Sequence, residues 1–118
     1  MKSVLIVDDS RVSRKMIRNL LEHSGFEVAG EAINGREGLD LYIKLSPDVV
    51  TMDITIPEMN GIDSLRKIKE HDPEAKVVII SDEGEDGLRR EAIEAGAIAF
   101  ITKPYSNEDI LDAIQNVE

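Results

Sequence analysis

Five polar residues stand directly behind short apolar runs, and their types suit phosphoryl chemistry. Val4-Leu5-Ile6-Val7 leads into Asp8-Asp9, and Val49-Val50-Thr51-Met52 leads into Asp53. Val77-Val78-Ile79-Ile80 leads into Ser81, and Ile98–Thr102 leads into Lys103-Pro104. Carboxylates brought close together repel, so such a group calls for a counter-charge. A hard divalent cation such as Mg²⁺, or Mn²⁺, supplies one and accepts carboxylate, water and phosphate oxygens. Lys103 offers a second positive charge, and the Ser81 hydroxyl can donate to a phosphoryl oxygen. A carboxylate beside a cation and a Lys can act as a phosphoryl nucleophile, giving an aspartyl-phosphate.

Each residue also has an ordinary structural use. Asp-Asp after a strand suits a helix N-terminus. Ser is common in loops. A carboxylate at the end of a buried strand is costlier, because leaving it without a partner costs several kcal/mol. The joint pattern, with a polar group behind each apolar strand, carries more weight than any one member.

The elements that must position these groups are set by periodicity. Strands are expected at Val4–Val7, Phe26–Val28, Val49–Met52, Val77–Ile80 and Ile98–Thr102. Helical spacing fills the gaps. The first helix starts near Ser10, with Val12, Met16 and Leu20 on one face and Ile17 and Leu21 alongside, and ends at Gly25. Asn34 can cap the second, which carries Leu39, Tyr42 and Ile43. Gly61 opens the third, with a stripe of Ile62, Leu65 and Ile68, and Pro73 is a stop beyond it. The fourth runs from about Asp86 to Ala95, with a loose start at Gly84 and Gly87. Ser106 and Asp109 form a capping box for the last, where Ile110, Leu111, Ile114 and Val117 face inward. Five strands alternating with five helices predict an α/β three-layer sandwich with a parallel sheet. Near-continuous apolar strands suit a sheet covered on both faces. In such sheets ligands bind outside the carboxyl ends of the strands, where the polar residues stand.

Composition narrows the function. The chain has 118 residues, one domain's length, with a formal net charge of −10 and no Cys. No disulfide framework is possible, and a cytoplasmic setting is expected. The apolar runs fall far short of the roughly 20 residues of a membrane helix. The excess of acid argues against a nucleic-acid-binding face, which draws on Lys and Arg. It is compatible with metal cations and basic protein partners.

The motifs resemble a known family. Leu5-Ile6-Val7-Asp8-Asp9-Ser10, the run from Val50-Thr51-Met52-Asp53 through Pro57 to Asn60-Gly61, Val78-Ile79-Ile80-Ser81, Ala95-Gly96-Ala97 and Phe100-Ile101-Thr102-Lys103-Pro104-Tyr105 resemble the receiver domain of two-component response regulators. Among these the likeness is to single-domain, CheY-like chemotaxis regulators, and it covers residues 1–118. The resemblance implies a flavodoxin-like (βα)5 fold with strand order 2-1-3-4-5. It implies transfer of a phosphoryl group from the phosphohistidine of a sensor histidine kinase or phosphotransfer protein to Asp53. Mg²⁺ would be held by Asp9, Asp53 and the backbone carbonyl of Thr55, with Asp8 acting largely through water. Ser81 and Lys103 would bind phosphoryl oxygens, and the bond between Lys103 and Pro104 would be cis. Phe100 would be the switch aromatic, turning inward behind Ser81, and the fourth helix, fifth strand and fifth helix would form the face for a downstream protein. The protein would catalyse only its own phosphorylation and dephosphorylation, with no membrane or direct nucleic-acid contact.

One position departs from the family. The residue after Ser81 is usually Ala or Gly, and here it is Asp82, with Glu83, Glu85 and Asp86 close behind. A carboxylate about 7 Å from a phosphoryl group repels it by roughly 0.6–2.4 kcal/mol per unit charge. Asp82 would slow phosphorylation if it points inward and do little if it points to solvent, the expected orientation. Ile56 stands where Met is commoner, and Thr55 lies where the family tunes loss of the phosphoryl group. His23 and His71 near helix ends are expected to be structural, and Arg89-Arg90 a solvated helix face. The alternative function is a pseudo-receiver, a phosphorylation-independent binding module, favoured by Asp82 alone. A Mg²⁺-dependent phosphatase usually has a second Asp two residues after its nucleophile, where this chain has Thr55. A flavin carrier would need a Ser/Thr/Gly phosphate cradle where this chain has Asp8-Asp9.

Overall fold

A computed structural model describes residues 2–54, 60–82 and 86–115. The order is β1 (Ser3–Val7), α1 (Arg11–His23), β2 (Glu27–Ala32), α2 (Gly35–Leu45), β3 (Val49–Asp53), α3 (Gly61–His71), β4 (Val77–Ser81), α4 (Asp86–Glu94), β5 (Ala99–Thr102) and α5 (Asn107–Gln115). The strands form one parallel sheet in the order β2-β1-β3-β4-β5, as expected. Thr55, Ile56, Glu83, Gly84, Glu85 and Val117 lie outside the described residues. Among the described residues no helix is long and apolar enough to cross a membrane.

The unbroken apolar strands serve two cores at once. Successive side chains alternate faces, so Val4 and Ile6 point one way and Leu5 and Val7 the other. The first set joins Val49, Val78, Ile80 and Ile101 beneath α1 and α5, which contribute Ile17, Leu21, Ile110 and Ile114. The second joins Val50, Met52, Val77, Ile79 and Phe100 beneath α2, α3 and α4. There Ile62, Leu65 and Ile68 form the expected stripe of α3. Each fully buried aliphatic side chain stabilises the fold by roughly 1.5–3 kcal/mol.

Asn34 and the Ser106–Asp109 pair cap their helices as expected, and Ser10 and Asn60 cap two more. Side chains of Ser10, Asn34 and Asn60 accept from the N–H groups of Ser13, Glu37 and Asp63. Ser106 and Asp109 form a reciprocal capping box, with bonds of 2.9 and 3.1 Å. Gly25 and Gly96 end helices at φ +86° and +107°, in the region that favours glycine.

Two expectations on packing and two on strand bounds need correction. In α1, Val12 and Met16 are 68% and 62% exposed, and the inward row is Ile17 and Leu21. Burial of Ile17 and Leu21 against the sheet turns the Val12-Met16 row outward, and on the β2 side of the helix Arg14 and Arg18 both reach Glu31, at 3.0 and 2.6 Å. In α2, Tyr42 is buried but Ile43 is exposed. Strand β2 runs to Ala32, beyond the expected end at Val28, and β5 starts at Ala99 with Ile98 left exposed. Glu27–Ala32 has little intrinsic β character; pairing with β1 imposes the strand.

Candidate phosphoacceptor site

The sheet brings the polar strand ends to one edge. Asp53 is the last residue of β3 and Ser81 the last of β4, while Asp8-Asp9 comes after β1 and Lys103 after β5. Register explains the convergence: Asp53 pairs with Ile80, and Ser81 with Thr102. Asp8, Asp53 and Ser81 are buried, and Asp9 is exposed. One ligand oxygen from each of Asp8, Asp9 and Asp53 can be taken so that all lie within 4.8 Å of one another.

Backbone and side-chain bonds fix the site's walls. The Asp8 N–H donates to the Ala32 carbonyl at 3.0 Å, so the end of β2 holds the loop after β1. The Ser10 N–H donates to Asp8 Oδ1 at 2.8 Å, and the Arg14 guanidinium donates to the Asp8 carbonyl at 2.9 Å. Beneath Asp53, Gly61 opens α3 so close that a Cβ there would collide with the Asp53 carbonyl oxygen and Ile54 Cα. The Gly61 N–H donates to the Ile54 carbonyl at 3.0 Å.

Charge is concentrated and only partly balanced. Burial, then the neighbouring Asp53 and Asp9 carboxylates, holds the Asp8 carboxyl above the usual carboxylate range, against the Ser10 hydrogen bond and Lys103. Lys103 Nζ lies 3.2 Å from Asp53 Oδ2. Burial alone would lower the Lys103 ammonium, but Asp53, Asp8 and Asp82 more than offset it and hold it above its ordinary value. The Lys103 N–H donates to the Ser81 carbonyl at 2.8 Å, and the Lys103–Pro104 bond is cis.

Asp82 is solvent-facing, as expected, and it also meets Lys103. Its side chain is 68% exposed, yet Oδ1 lies 3.5 Å from Lys103 Nζ. The ammonium attracts it, so Asp82 sits at the mouth of the site. Phe100 is 7% exposed and packs in the core under α4. Arg89 and Arg90 are both exposed, as expected, and the Arg89 guanidinium also lies 5.0 Å from the Phe100 ring centroid and donates to the Phe100 carbonyl at 3.5 Å. His23 Nδ1 sits 2.7 Å from the Asn19 carbonyl, and His71 meets the Tyr42 ring edge-on, both structural contacts. Thr55, expected to supply a carbonyl to the metal, lies outside the described residues.

Sequence reasoning missed Arg14, Arg89 and the Asp82–Lys103 pair. Each depends on where a long side chain crosses between elements, which local spacing does not encode. The signal for Asp82 was its place: it comes directly after Ser81, whose carbonyl is bonded to the Lys103 N–H.

Comparison with known proteins agrees with this geometry. A family model described as the response regulator receiver domain matches residues 4–115. The chain is 48% identical over 116 residues to a chemotaxis protein CheY of Thermotoga maritima, covering 98% of this chain and 97% of that protein. It is 46% identical over 111 residues to a CheY of Bacillus subtilis, covering 94% and 92%. Among solved structures, the CheX–CheY–BeF3–Mg complex from Borrelia burgdorferi includes a chain with TM-score 0.95 and 36% identity, at 98% and 88% coverage.

Proposed function

Because the chain belongs to the response regulator receiver domain family, homologous to the CheY chemotaxis regulators of two-component signalling, we propose that Asp53 is its phosphoacceptor. The observation that carries this reading is the meeting of three carboxylates within 4.8 Å with an ammonium 3.2 Å from the Asp53 carboxylate. The donor would be the phosphohistidine of a sensor histidine kinase or phosphotransfer protein. An Asp53 carboxylate oxygen attacks phosphorus, the new P–O bond forms as the P–N bond breaks, and the electron pair leaves on the imidazole nitrogen. Lys103 and Ser81 receive the phosphoryl oxygens, the first by charge and the second by its hydroxyl.

Receiver domains bind Mg²⁺ at such an acidic pocket, and the donor set here fits it. All three side chains offer hard carboxylate oxygens, and Asp8 is buried among like charges that favour a cation. Asp8, Asp9, Asp53 and the Thr55 carbonyl would hold it, and Mn²⁺ suits the same oxygens. Bound there, the ion supplies charge neutralisation of the carboxylates and the transferring group.

The signal leaves by rearrangement. Ser81 moves toward the phosphoryl group, and the space behind it is governed by Phe100. The face of α4, β5 and α5 then binds a downstream protein. The chain catalyses only its own phosphorylation and dephosphorylation and works in the cytoplasm, and residues 1–118 act as one receiver domain. A pseudo-receiver is the second reading, favoured by the hold of Asp82 on Lys103.

The test is intact mass after incubation with acetyl phosphate and Mg²⁺. One base-labile phosphoryl group, absent in Asp53→Ala and with EDTA, is the expected result. No addition to a folded wild-type protein would overturn the reading and leave the pseudo-receiver.

A further inference from the structure

The Lys103 ammonium serves two carboxylates that differ in kind. Asp53, at 3.2 Å, is buried and lies on the acceptor side. Asp82, at 3.5 Å, is largely exposed and lies on the solvent side. The backbone sets this arrangement. Ser81 pairs with Thr102, and the Lys103 N–H is bonded to the Ser81 carbonyl, so Asp82 and Lys103 occupy the next positions along two neighbouring strands. Asp82 is thus held at the entrance to the site.

We propose that Asp82 is a specificity-determining residue that selects phosphoryl donors by charge, disfavouring free dianionic donors relative to donors whose phosphoryl group sits on a protonated nitrogen. The inference rests on the reading of Asp53 as phosphoacceptor. An incoming phosphoryl group must take the place of the Asp82 carboxylate at Lys103 and must also approach its negative charge. The penalty scales with the donor's charge. Because Asp82 faces water, the penalty is screened by salt.

Two small donors separate charge from other effects. Acetyl phosphate is a dianion at neutral pH. Its transfer forms the Asp53 O–P bond and breaks the P–O bond, acetate leaving with the electron pair. Phosphoramidate carries a protonated nitrogen and a single net negative charge. Its transfer breaks the P–N bond, ammonia leaving with the electron pair. If each unit of donor charge costs a factor f, neutralising Asp82 raises the two rates by f² and f.

The experiment measures phosphorylation of the full chain by intact mass, with Mg²⁺ and each donor, for wild type, Asp82→Asn and Asp82→Glu. Asp82→Asn should raise the acetyl phosphate rate about four- to tenfold and the phosphoramidate rate about two- to threefold at low salt. Asp82→Glu should keep the wild-type ratio of the two rates. Raising ionic strength should bring wild type and Asp82→Asn together. In Mg²⁺-free protein, the Lys103 Cε methylene resonance should shift in Asp82→Asn, reporting the contact without any reaction. Equal factors for both donors, a salt-independent ratio, or an unmoved Lys103 resonance would each overturn the proposal while leaving Asp53 as acceptor. No mass gain in any variant, beside an Asp53→Ala control, would overturn the acceptor reading and this inference with it.

Discussion

The Arg89 guanidinium carbon lies 5.0 Å from the centroid of the Phe100 ring. The same guanidinium donates to the Phe100 carbonyl at 3.5 Å, so α4 grips this buried aromatic through both ring and backbone. A cation over an aromatic face is worth about 0.5–1 kcal/mol at an exposed site. The α4 helix therefore restrains Phe100 in its buried position. Arg89→Ala should lower the free energy of unfolding by about that amount and broaden the Phe100 ring-proton resonances. Urea unfolding and aromatic NMR check both. An unchanged ring spectrum would mean that packing under α4 alone holds Phe100.

Asp8 gives a prediction about metal and pH together. Its carboxyl is raised above the ordinary 3.8 by burial first and by Asp53 and Asp9 after it. A raised folded value means that the native state holds its proton more tightly than the unfolded chain does. The contribution is thus most favourable below pH 3.8 and is lost as pH rises through the folded value. Asp8→Asn removes that loss. Without Mg²⁺ it should stabilise the protein at pH 7 by about 0.5–2 kcal/mol, with the gain vanishing in acid. Added Mg²⁺ should raise the melting temperature of wild type more than that of the variant. Thermal scans at several pH values, with and without Mg²⁺, decide it.

The parts of this protein that could be read from its residues are those set by local rules. Alternation of Leu5 and Val7 against Val4 and Ile6, the Asn34 cap and the Ser106–Asp109 box all depend on neighbours in sequence. So does the placing of Asp53 and Ser81, because a strand's end fixes them. What escaped was set by contacts distant in sequence. The face that α1 buries depends on the sheet core that Ile17 and Leu21 enter, and the length of β2 on its pairing with β1. The orientation of Asp82 depends on an ammonium at the end of a different strand. Long charged side chains choose partners across space, and periodicity does not record that choice.

Gly61 ties the end of β3, and with it Asp53, to α3. A Cβ there would overlap the Asp53 carbonyl oxygen and Ile54 Cα, both backbone atoms that cannot swing aside as a side chain can. Gly61→Ala should therefore push the end of β3 away from α3. A cost of about 1–3 kcal/mol in unfolding free energy is expected, as for other overpacked sites. Because the displaced residue is Asp53, the phosphorylation rate with acetyl phosphate should fall even where the variant is folded. Circular dichroism in urea and intact mass measure the two effects. A stable variant with an unchanged rate would show that the loop absorbs the methyl group without moving Asp53.

Thr51 lies in the middle of β3, 1% exposed, between Ile6 of β1 and Val78 of β4. Among the described residues its hydroxyl has no hydrogen-bond partner. A buried hydroxyl without a partner costs roughly 1–3 kcal/mol in proteins. Valine has nearly the same shape and β-branching, so it keeps the packing and removes the desolvated group. The cavity argument does not oppose the change, because the methyl occupies the hydroxyl's space. Thr51→Val should therefore stabilise the protein by about 1 kcal/mol, opposite in sign to most core substitutions. The acceptor chemistry should be unaffected, since Asp53 stands two residues further along and keeps its register with Ile80. The midpoint of urea unfolding reads the effect directly. A variant less stable than wild type would mean that the hydroxyl is bonded in solution, with an internal water as the obvious partner.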